Sequence, residues 1–363
     1  MRTDKFDNRA LRPDAFHSVD EYRNNFACCA DVHSELLFGD RGLTDSPWLS
    51  VVIPTYRRFT LLSAALESVL AQQDVPCSYE ILIVDNTPFN AQGLTPALQV
   101  VRQIDDKRVL YYHNGENLSI GYNWNRCVEL ARGEWVCFLH DDDLLCPDAL
   151  LHLARQICRY RGKKTLGYIH ARRVDFSESF FANSLKKYPQ ERLTRFGVLI
   201  SGCTGAGSPT CGTAILREAY LACGGINYDF ASSADAVLCF QIMKDYAVVT
   251  STHVLGGSRW ALNESLKKST LLQMVQADEL LNAYIYKQTP FSRWWGRHFG
   301  AATTWRNIWR KQTIADANQV MIHKSEFREV TVYDEPGWGM KKLFLMLYAV
   351  YRLLRWLNGF VWL

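Results

Sequence analysis

Residues 133–143 read GEWVCFLHDDD. An expected strand from Glu134 to Leu139, apolar from Trp135 onward, stops abruptly at one histidine and three aspartates. A short run of this kind, opened by glycine, reads as a strand buried on both faces. Three carboxylates packed at a strand end repel one another and lose hydration. A cation or partial protonation offsets that cost. Oxygen ligands suit Mg²⁺ or Mn²⁺, which hold few protein carboxylates and keep positions open for substrate phosphates. The same residues also read as a solvated loop whose aspartates cap a helix starting near Pro147.

Upstream, the pattern repeats. Trp48 to Pro54, Tyr79 to Asp85 and Arg108 to Tyr112 read as strands. Leu61 to Gln73, Thr95 to Ile104, Ser119 to Ala131 and Pro147 to Tyr160 read as helices. Strands alternating with helices predict an α/β domain with a mostly parallel sheet. Such sheets bind ligands beyond the carboxyl ends of their strands. Those ends carry Thr55 to Arg58, Asp85-Asn86, His113-Asn114 and His140 to Asp143. Pro54 stiffens the turn into Thr55 and Tyr56. Arg57 and Arg58 face either phosphate or solvent. Asp85 either takes hydrogen bonds from a base or ribose, or closes an Asx-turn with Asn86 and Thr87.

The remaining chain is less regular. Residues 1–46 form a polar N-terminal extension with a helical pattern around Val19 to Phe38. Leu166 to Thr252 is mixed, with a Gly/Ser/Thr-rich loop from Ser201 to Gly212, a strand from Thr213 to Leu216 and a helix from Asp235 to Tyr246. From Leu266 the chain reads as helical. Of 363 residues, 48% are hydrophobic and 21% charged, which fits a globular protein with a core and argues against disorder. A net charge of +4 is too weak to predict a nucleic-acid partner. The 11 cysteines show no CxxC spacing, so buried free thiols in a reducing compartment are expected. The N-terminus has no apolar signal region, and no apolar run reaches the roughly 18 to 20 residues of a membrane span. A cytoplasmic protein is therefore expected.

Four blocks together carry a resemblance: residues 51–58 VVIPTYRR, 80–86 EILIVDN, 117–125 NLSIGYNWN and 133–143 GEWVCFLHDDD. In order and spacing this chain resembles the family-2 inverting glycosyltransferases of GT-A fold, of the type that builds bacterial surface polysaccharide. The resemblance covers about Trp48 to Trp260. It implies a Rossmann-like GT-A domain over residues 47–265 and a nucleotide-sugar donor, UDP-linked by preference. Pro54, Thr55, Tyr56, Arg58, Asp85, Asn117 and Asp141 would bind the nucleotide. Asp141, Asp142 and Asp143 would hold Mn²⁺ or Mg²⁺ on the diphosphate, with Asp142 the favoured ligand. His140 stands where the family pattern has aspartate.

An inverting transferase needs a carboxylate to deprotonate the acceptor hydroxyl, while the metal neutralises the departing diphosphate. By resemblance that base is Asp235, within residues 230–240 FASSADAVLCF. Ala234 replaces the usual glutamate. The other reading has Asp235 capping its helix near Ser232 and Ser233. Asp229 is the neighbouring competitor. Arg259 is the candidate phosphate contact, in a lid with Trp260 and Asn263 to Ser265, or else a surface arginine. The Ser201 to Gly212 loop would line the acceptor side.

Tryptophan alternates with basic residues in 291–298 FSRWWGRH, in 305–311 WRNIWRK and in the tail, residues 338–363. On a helix, Lys341, Tyr348, Arg352 and Arg355 share one side. Leu343, Leu347, Val350, Leu354 and Leu357 lie on a broad apolar face. Residues 266–363 are thus expected to be a helical region ending in an interfacial helix on the inner face of the cytoplasmic membrane. A helix packed on the protein or on a second subunit is the alternative. A membrane site would suit a lipid-linked saccharide acceptor. Two other functional classes share parts of this pattern. A sugar nucleotidyltransferase has a Gly-rich basic signature after its first strand, and residues 54–58 contain no glycine. A non-catalytic binding module that kept the fold draws support from His140 and Ala234.

Overall fold

The computed structural model describes residues 23–42, 46–160, 166–175, 187, 192–194, 211–259, 266–288 and 290–361. In chain order the first half is β1 (Ser34–Phe38), β2 (Leu49–Thr55), α1 (Phe59–Leu70), β3 (Tyr79–Asp85), α2 (Pro96–Val101), β4 (Val109–Asn114), α3 (Ile120–Leu130), β5 (Trp135–Phe138), β6 (Leu144–Leu145) and α4 (Ala149–Tyr160). Then follow β7 (Leu166–Asp175), β8 (Arg192–Thr194), β9 (Thr213–Leu216), α5 (Arg217–Ala222), α6 (Ala234–Asp245) and β10 (Ala247–Ser258). Four helices complete the chain: α7 (Lys268–Gln288), α8 (Pro290–Ala317), α9 (Lys324–Glu329) and α10 (Trp338–Val361).

All ten strands join one sheet, in the order β1-β4-β3-β2-β5-β9-β7-β10-β6, with β8 paired to β10. Strands β4, β3, β2 and β5 run parallel, as do β7 and β10. β9 joins these two parallel groups by antiparallel pairing to β5 and β7. Every residue of β2, β3 and β4 is buried, because helices cover both faces. Side chains alternate along a strand. Leu49, Val51 and Ile53 therefore pack with α1, α2 and α4, while Val52 turns to α3 and α6 on the other face. Each such aliphatic side chain contributes ~1.5–3 kcal/mol by leaving water. Leu281, Tyr284 and Ile285 of α7 join the second face, which ties the helical C-terminal region to the sheet.

Register places the functional ends. Thr55 pairs with Asp85, and Asp85 with His113. On the other side Val52 pairs with Phe138, and Leu139 N–H donates to the Val52 carbonyl at 3.1 Å. Residues 140–143 thus leave the sheet beside Thr55. The short β6 then pairs with Gly256 and Gly257 of β10, which brings the end of β10 to the same corner.

Of the helical pattern around Val19 to Phe38, residues 19–22 lie outside the described residues, and residues 23–38 form no α-helix. A 3-10 turn spans Asn25–Cys29, and Ser34–Phe38 is a strand antiparallel to β4. The exposed edge of β4 supplies unpaired backbone groups, and that non-local pairing overrides the local pattern. Part of the N-terminal extension is therefore an edge of the sheet. Ten cysteines among the described residues are unpaired, and six of them are buried. Trp260, residues 261–265 and residues 201–210 lie outside the described residues, and with them the expected lid and most of the acceptor-side loop.

Candidate functional site

The corner built by register gathers most of the expected residues. Thr55 Oγ1 donates to Asp141 Oδ2 at 2.8 Å. Arg58, at the start of α1, reaches back from the N-cap position. Its Nη1 lies 2.5 Å from Asp142 Oδ2 and 3.7 Å from Asp141 Oδ1. Asp143 is held from two sides. Its Oδ1 accepts the Arg259 backbone N–H at 3.0 Å, and its Oδ2 lies 2.9 Å from His140 Nδ1. Arg259 Nε also donates to the Asp142 carbonyl at 3.3 Å. Pairing of β6 with β10 brings Arg259, distant in sequence, into this group.

Burial dominates the electrostatics. It pushes the Asp141 carboxyl up to about 6, against the Thr55 hydrogen bond and with help from the Asp142 charge. Asp142 is raised by burial and then by Asp143. For His140, burial opposes the charged ring, but the Asp143 hydrogen bond and the charges of Asp143 and Asp142 outweigh it, so its pKa is raised. Asp141, Asp142 and His140 thus hold protons more tightly than free side chains do, the two carboxyls chiefly because burial penalises their charged forms and the histidine because the acidic neighbours favour its charged form.

His140, Asp142 and Asp143 bring ligand-capable atoms within 4.8 Å of one another. A divalent cation fits such a group of two carboxylates and an imidazole. The sequence reading put Asp141 among the metal residues and treated His140 only as a departure. In the structure the Asp141 carboxylate is turned to Thr55, outside that group, and His140 stands inside it. Consecutive residues of a turn point in different directions, and spacing alone does not say which faces inward.

Asp85 is fully buried. Its Oδ1 accepts the Thr87 N–H at 2.7 Å, and its Oδ2 accepts the Tyr111 hydroxyl at 2.5 Å. Tyr111 is bonded in turn to Thr95 Oγ1 at 2.6 Å. The Asx-turn alternative is thus present, and Tyr111, which sequence reading missed, fixes the carboxylate. Burial and then the Asp85 charge push the Tyr111 phenol strongly upward. Pro54 and Thr55 are buried, whereas Tyr56 is exposed with the Arg57 guanidinium over its ring. Arg57 has φ +58°, and its N–H donates to Thr87 Oγ1 at 2.8 Å, which stitches the turns after β2 and β3 together. Exposed Phe89 stacks on His113 at 3.8 Å. Asn117 is exposed on the loop before α3. Tyr56 and Phe89 therefore offer aromatic surface near Asp85.

Asp235 belongs to a second group. It is the second residue of α6, half-buried, and Ser233 takes the N-cap position. Asp235 Oδ1 accepts the Ala236 N–H at 2.7 Å. Nearby, burial raises the Tyr168 phenol far above its ordinary value, with the Cys239 and Asp235 charges adding to it. Asp229 lies in the 3-10 turn Tyr228–Ser233 before α6, and its side chain is outside the described residues. Arg173 of β7 donates to Ser258 Oγ at 3.0 Å, and its charge acts on His140. No spacing in the sequence pointed to Arg173, because it is brought in by the pairing of β7 with β10.

The family model described as glycosyl transferase family 2 matches residues 50–224. The chain carries a glycosyl transferase family 2 domain. That segment holds the acidic cluster, Asp85 and the turn after β2. The putative colanic acid biosynthesis glycosyl transferase WcaA of Escherichia coli K12 is 32% identical over 108 residues, covering 30% of this chain and 37% of that protein. The GalNAc(5)-diNAcBac-PP-undecaprenol beta-1,3-glucosyltransferase of Campylobacter jejuni is 36% identical over 126 residues, covering 34% and 37%. The matched part thus spans little more than a third of either relative's length. The crystal structure of S. aureus TarS 1-349 in complex with UDP aligns over 77% of both chains with a TM-score of 0.51 and 15% identity, which shows a shared fold. The glycosyl transferase family 2 domain is therefore of GT-A architecture, with a His/Asp group able to hold a divalent cation at the end of its parallel strands.

Proposed function

We propose that this protein is a metal-dependent inverting glycosyltransferase that moves a sugar from a UDP-sugar to a hydroxyl of a lipid-linked saccharide. The observation that carries this reading is the meeting of Thr55, Arg58, Asp142, Asp143, His140 and Arg259 at the carboxyl ends of the strands of a family-2 domain. Burial raises two carboxylates there, Asp141 and Asp142, and Arg58 and Arg259 supply guanidinium groups for phosphate. A bound Mn²⁺ or Mg²⁺ would neutralise the diphosphate as it leaves.

The chain's own residues divide the work. Asp85, Thr55 and the aromatic surface of Tyr56 receive the nucleoside, with Asn117 and Pro54 shaping its rim. Arg58 exchanges its ion pair with Asp142 for the diphosphate, and Arg259 covers the same charge from the other side. Asp235 takes the proton from the acceptor hydroxyl as its oxygen attacks the anomeric carbon. The bond from that carbon to the phosphate oxygen breaks, and the nucleoside diphosphate leaves with the electron pair. A carboxylate at the first turn of α6 is favourably placed against the helix dipole to remain ionised until it receives the proton.

The acceptor's lipid linkage is supported by α10. Among the described residues no helix is long and apolar enough to cross a membrane. Lys341, Phe344 and Tyr348 of α10 face the protein. Lys341 pairs with Glu335 at 2.6 Å, and the Tyr348 hydroxyl accepts from Arg306 at 2.7 Å. Trp338, Leu343, Leu345, Met346 and Val350 are exposed instead. A helix that docks one side on the protein and leaves a broad apolar surface exposed suits an interfacial position on the cytoplasmic leaflet. Flotation with anionic and neutral vesicles tests this, and equal absence from both would sink it.

Donor binding and hydrolysis across a panel of nucleotide sugars, with Mn²⁺, Mg²⁺ or chelator, tests the activity. One sugar nucleotide bound only with metal is the expected result. Full turnover in chelator, or no binding under any condition, would refute the reading.

A further inference from the structure

His140 Nε2 is shielded from solvent and has no hydrogen-bond partner. A buried polar nitrogen left unpaired costs ~1–3 kcal/mol. The other ring nitrogen, Nδ1, lies 2.9 Å from Asp143 Oδ2. An ionised carboxylate only accepts, so Nδ1 carries the hydrogen, and Nε2 presents its lone pair when the ring is neutral, the form a metal takes. The ring is also held in plane by neighbours. Trp124 lies 5.2 Å from it, and Trp124 stacks on Phe138 at 5.1 Å. Metal-ligating histidines are oriented in this way: one ring nitrogen donates to a carboxylate and the other presents its lone pair.

The neighbouring carboxylates already have internal donors. Asp142 has Arg58, Asp143 has the Arg259 N–H and His140, and Asp141 has Thr55. The shielded nitrogen of His140 is the atom of this cluster that protein groups leave unsatisfied. His140 is a member of the group in which His140, Asp142 and Asp143 each bring one ligand-capable atom within 4.8 Å of the others.

We propose that His140 ligates the metal directly through Nε2, with Asp142 as a carboxylate ligand and Asp143 orienting the ring. This rests on the metal-dependent reading above. A nitrogen in an otherwise oxygen donor set shifts preference from Mg²⁺, which wants oxygen, to first-row metals that accept imidazole. Affinity should therefore rise from Mg²⁺ to Mn²⁺ to Co²⁺. A site of carboxylates alone would discriminate much less between Mg²⁺ and Mn²⁺.

The test uses the full chain without donor. Titration calorimetry compares Mg²⁺, Mn²⁺ and Co²⁺, and electron spin echo spectroscopy of bound Mn²⁺ looks for nitrogen modulation. Mn²⁺ is expected to bind at least ~10-fold more tightly than Mg²⁺, with nitrogen modulation present. His140→Gln puts an amide oxygen near the Nε2 position. It should reduce the Mn²⁺ preference to within ~3-fold and abolish the modulation. A thermal melt in chelator checks that this variant folds. If it does not, histidine-selective ¹⁵N labelling of the wild-type chain decides, because the modulation changes with the isotope only when a histidine ligates. Equal binding of Mg²⁺ and Mn²⁺ to the wild-type chain, or modulation indifferent to the variant and to the label, overturns the ligand assignment and leaves the metal reading standing. Failure of every cation to bind the wild-type chain overturns both.

Discussion

The two ends of the parallel strands treat buried carboxylates in opposite ways. At the amino end, Glu80 is fully buried and fully answered. It accepts the Ser50 hydroxyl at 2.7 Å and the Arg132 N–H and Nε at 2.8 Å each, and pairs with Arg132 Nη2 at 2.7 Å. Gly133 allows the approach, since a Cβ there would meet the Ser50 nitrogen at 2.6 Å. At the carboxyl end, Asp141 and Asp142 share Arg58, Asp143 has the Arg259 backbone N–H and His140, and burial raises the first two. One carboxylate with one guanidinium is a structural clamp. Three with one guanidinium form a site that still needs positive charge. The ratio of donors to charges, rather than burial itself, separates structure from function here.

Substitutions should separate the two ends. The largest effect is expected from Asp235→Asn, which should lower turnover ~10³-fold, about 4 kcal/mol of barrier, with donor affinity and melting temperature unchanged. A parallel loss of donor binding would remove Asp235 from the role of base. Next comes the amino end. Arg132→Met leaves Glu80 buried without its partner and should cost ~3 kcal/mol in urea unfolding, while metal affinity of the folded fraction is kept. A stability change under ~1 kcal/mol would mean the clamp is not a clamp.

The acidic end should respond to pH. Asp141 is raised to about 6, so the metal-free fold is favoured below the ordinary carboxylate value and loses that contribution as pH rises to about 6. A bound cation removes the cost. The rise in melting temperature on adding Mn²⁺ should therefore grow between pH 5 and pH 7, and metal affinity should fall by up to ~10-fold per unit below pH 6. A rise that is flat across that range would count against a carboxylate site. The smallest effect is expected from Arg58→Met. Removing the internal counter-charge should tighten donor-free Mn²⁺ binding ~3-fold and weaken donor binding. Weaker metal binding in this variant would show that Arg58 supports the site rather than competing for it.

How far the sequence could be read depends on how local each signal is. Strands β2 to β5 and helices α1, α3 and α4 announce themselves, because two-sided burial makes each strand a short continuous apolar run and one-sided burial imposes a period of 3.6 on a helix. Asp85 and residues 141–143 follow from those strands, since each stands just beyond a strand end. Ser34–Phe38 does not, because its strand exists only through the β4 edge. Arg173 and Tyr111 were equally illegible, for each becomes part of the site through pairing or packing across the sheet. Arg259 was named from the sequence, but its contact with Asp143 comes from the pairing of β6 with β10.

The sequence by itself determined an α/β domain, its acidic strand end and a helical C-terminal region, because apolar periodicity and a run of like charges are properties of adjacent residues. Only the tertiary structure decided how the cluster is divided. It turned Asp141 to Thr55, set His140 beside Asp142 and Asp143, and docked Phe344 and Tyr348 of α10 against α8. Those outcomes depend on which way a turn points and which surface a helix meets. Both are fixed by contacts between residues far apart in the chain, where local pattern carries no information.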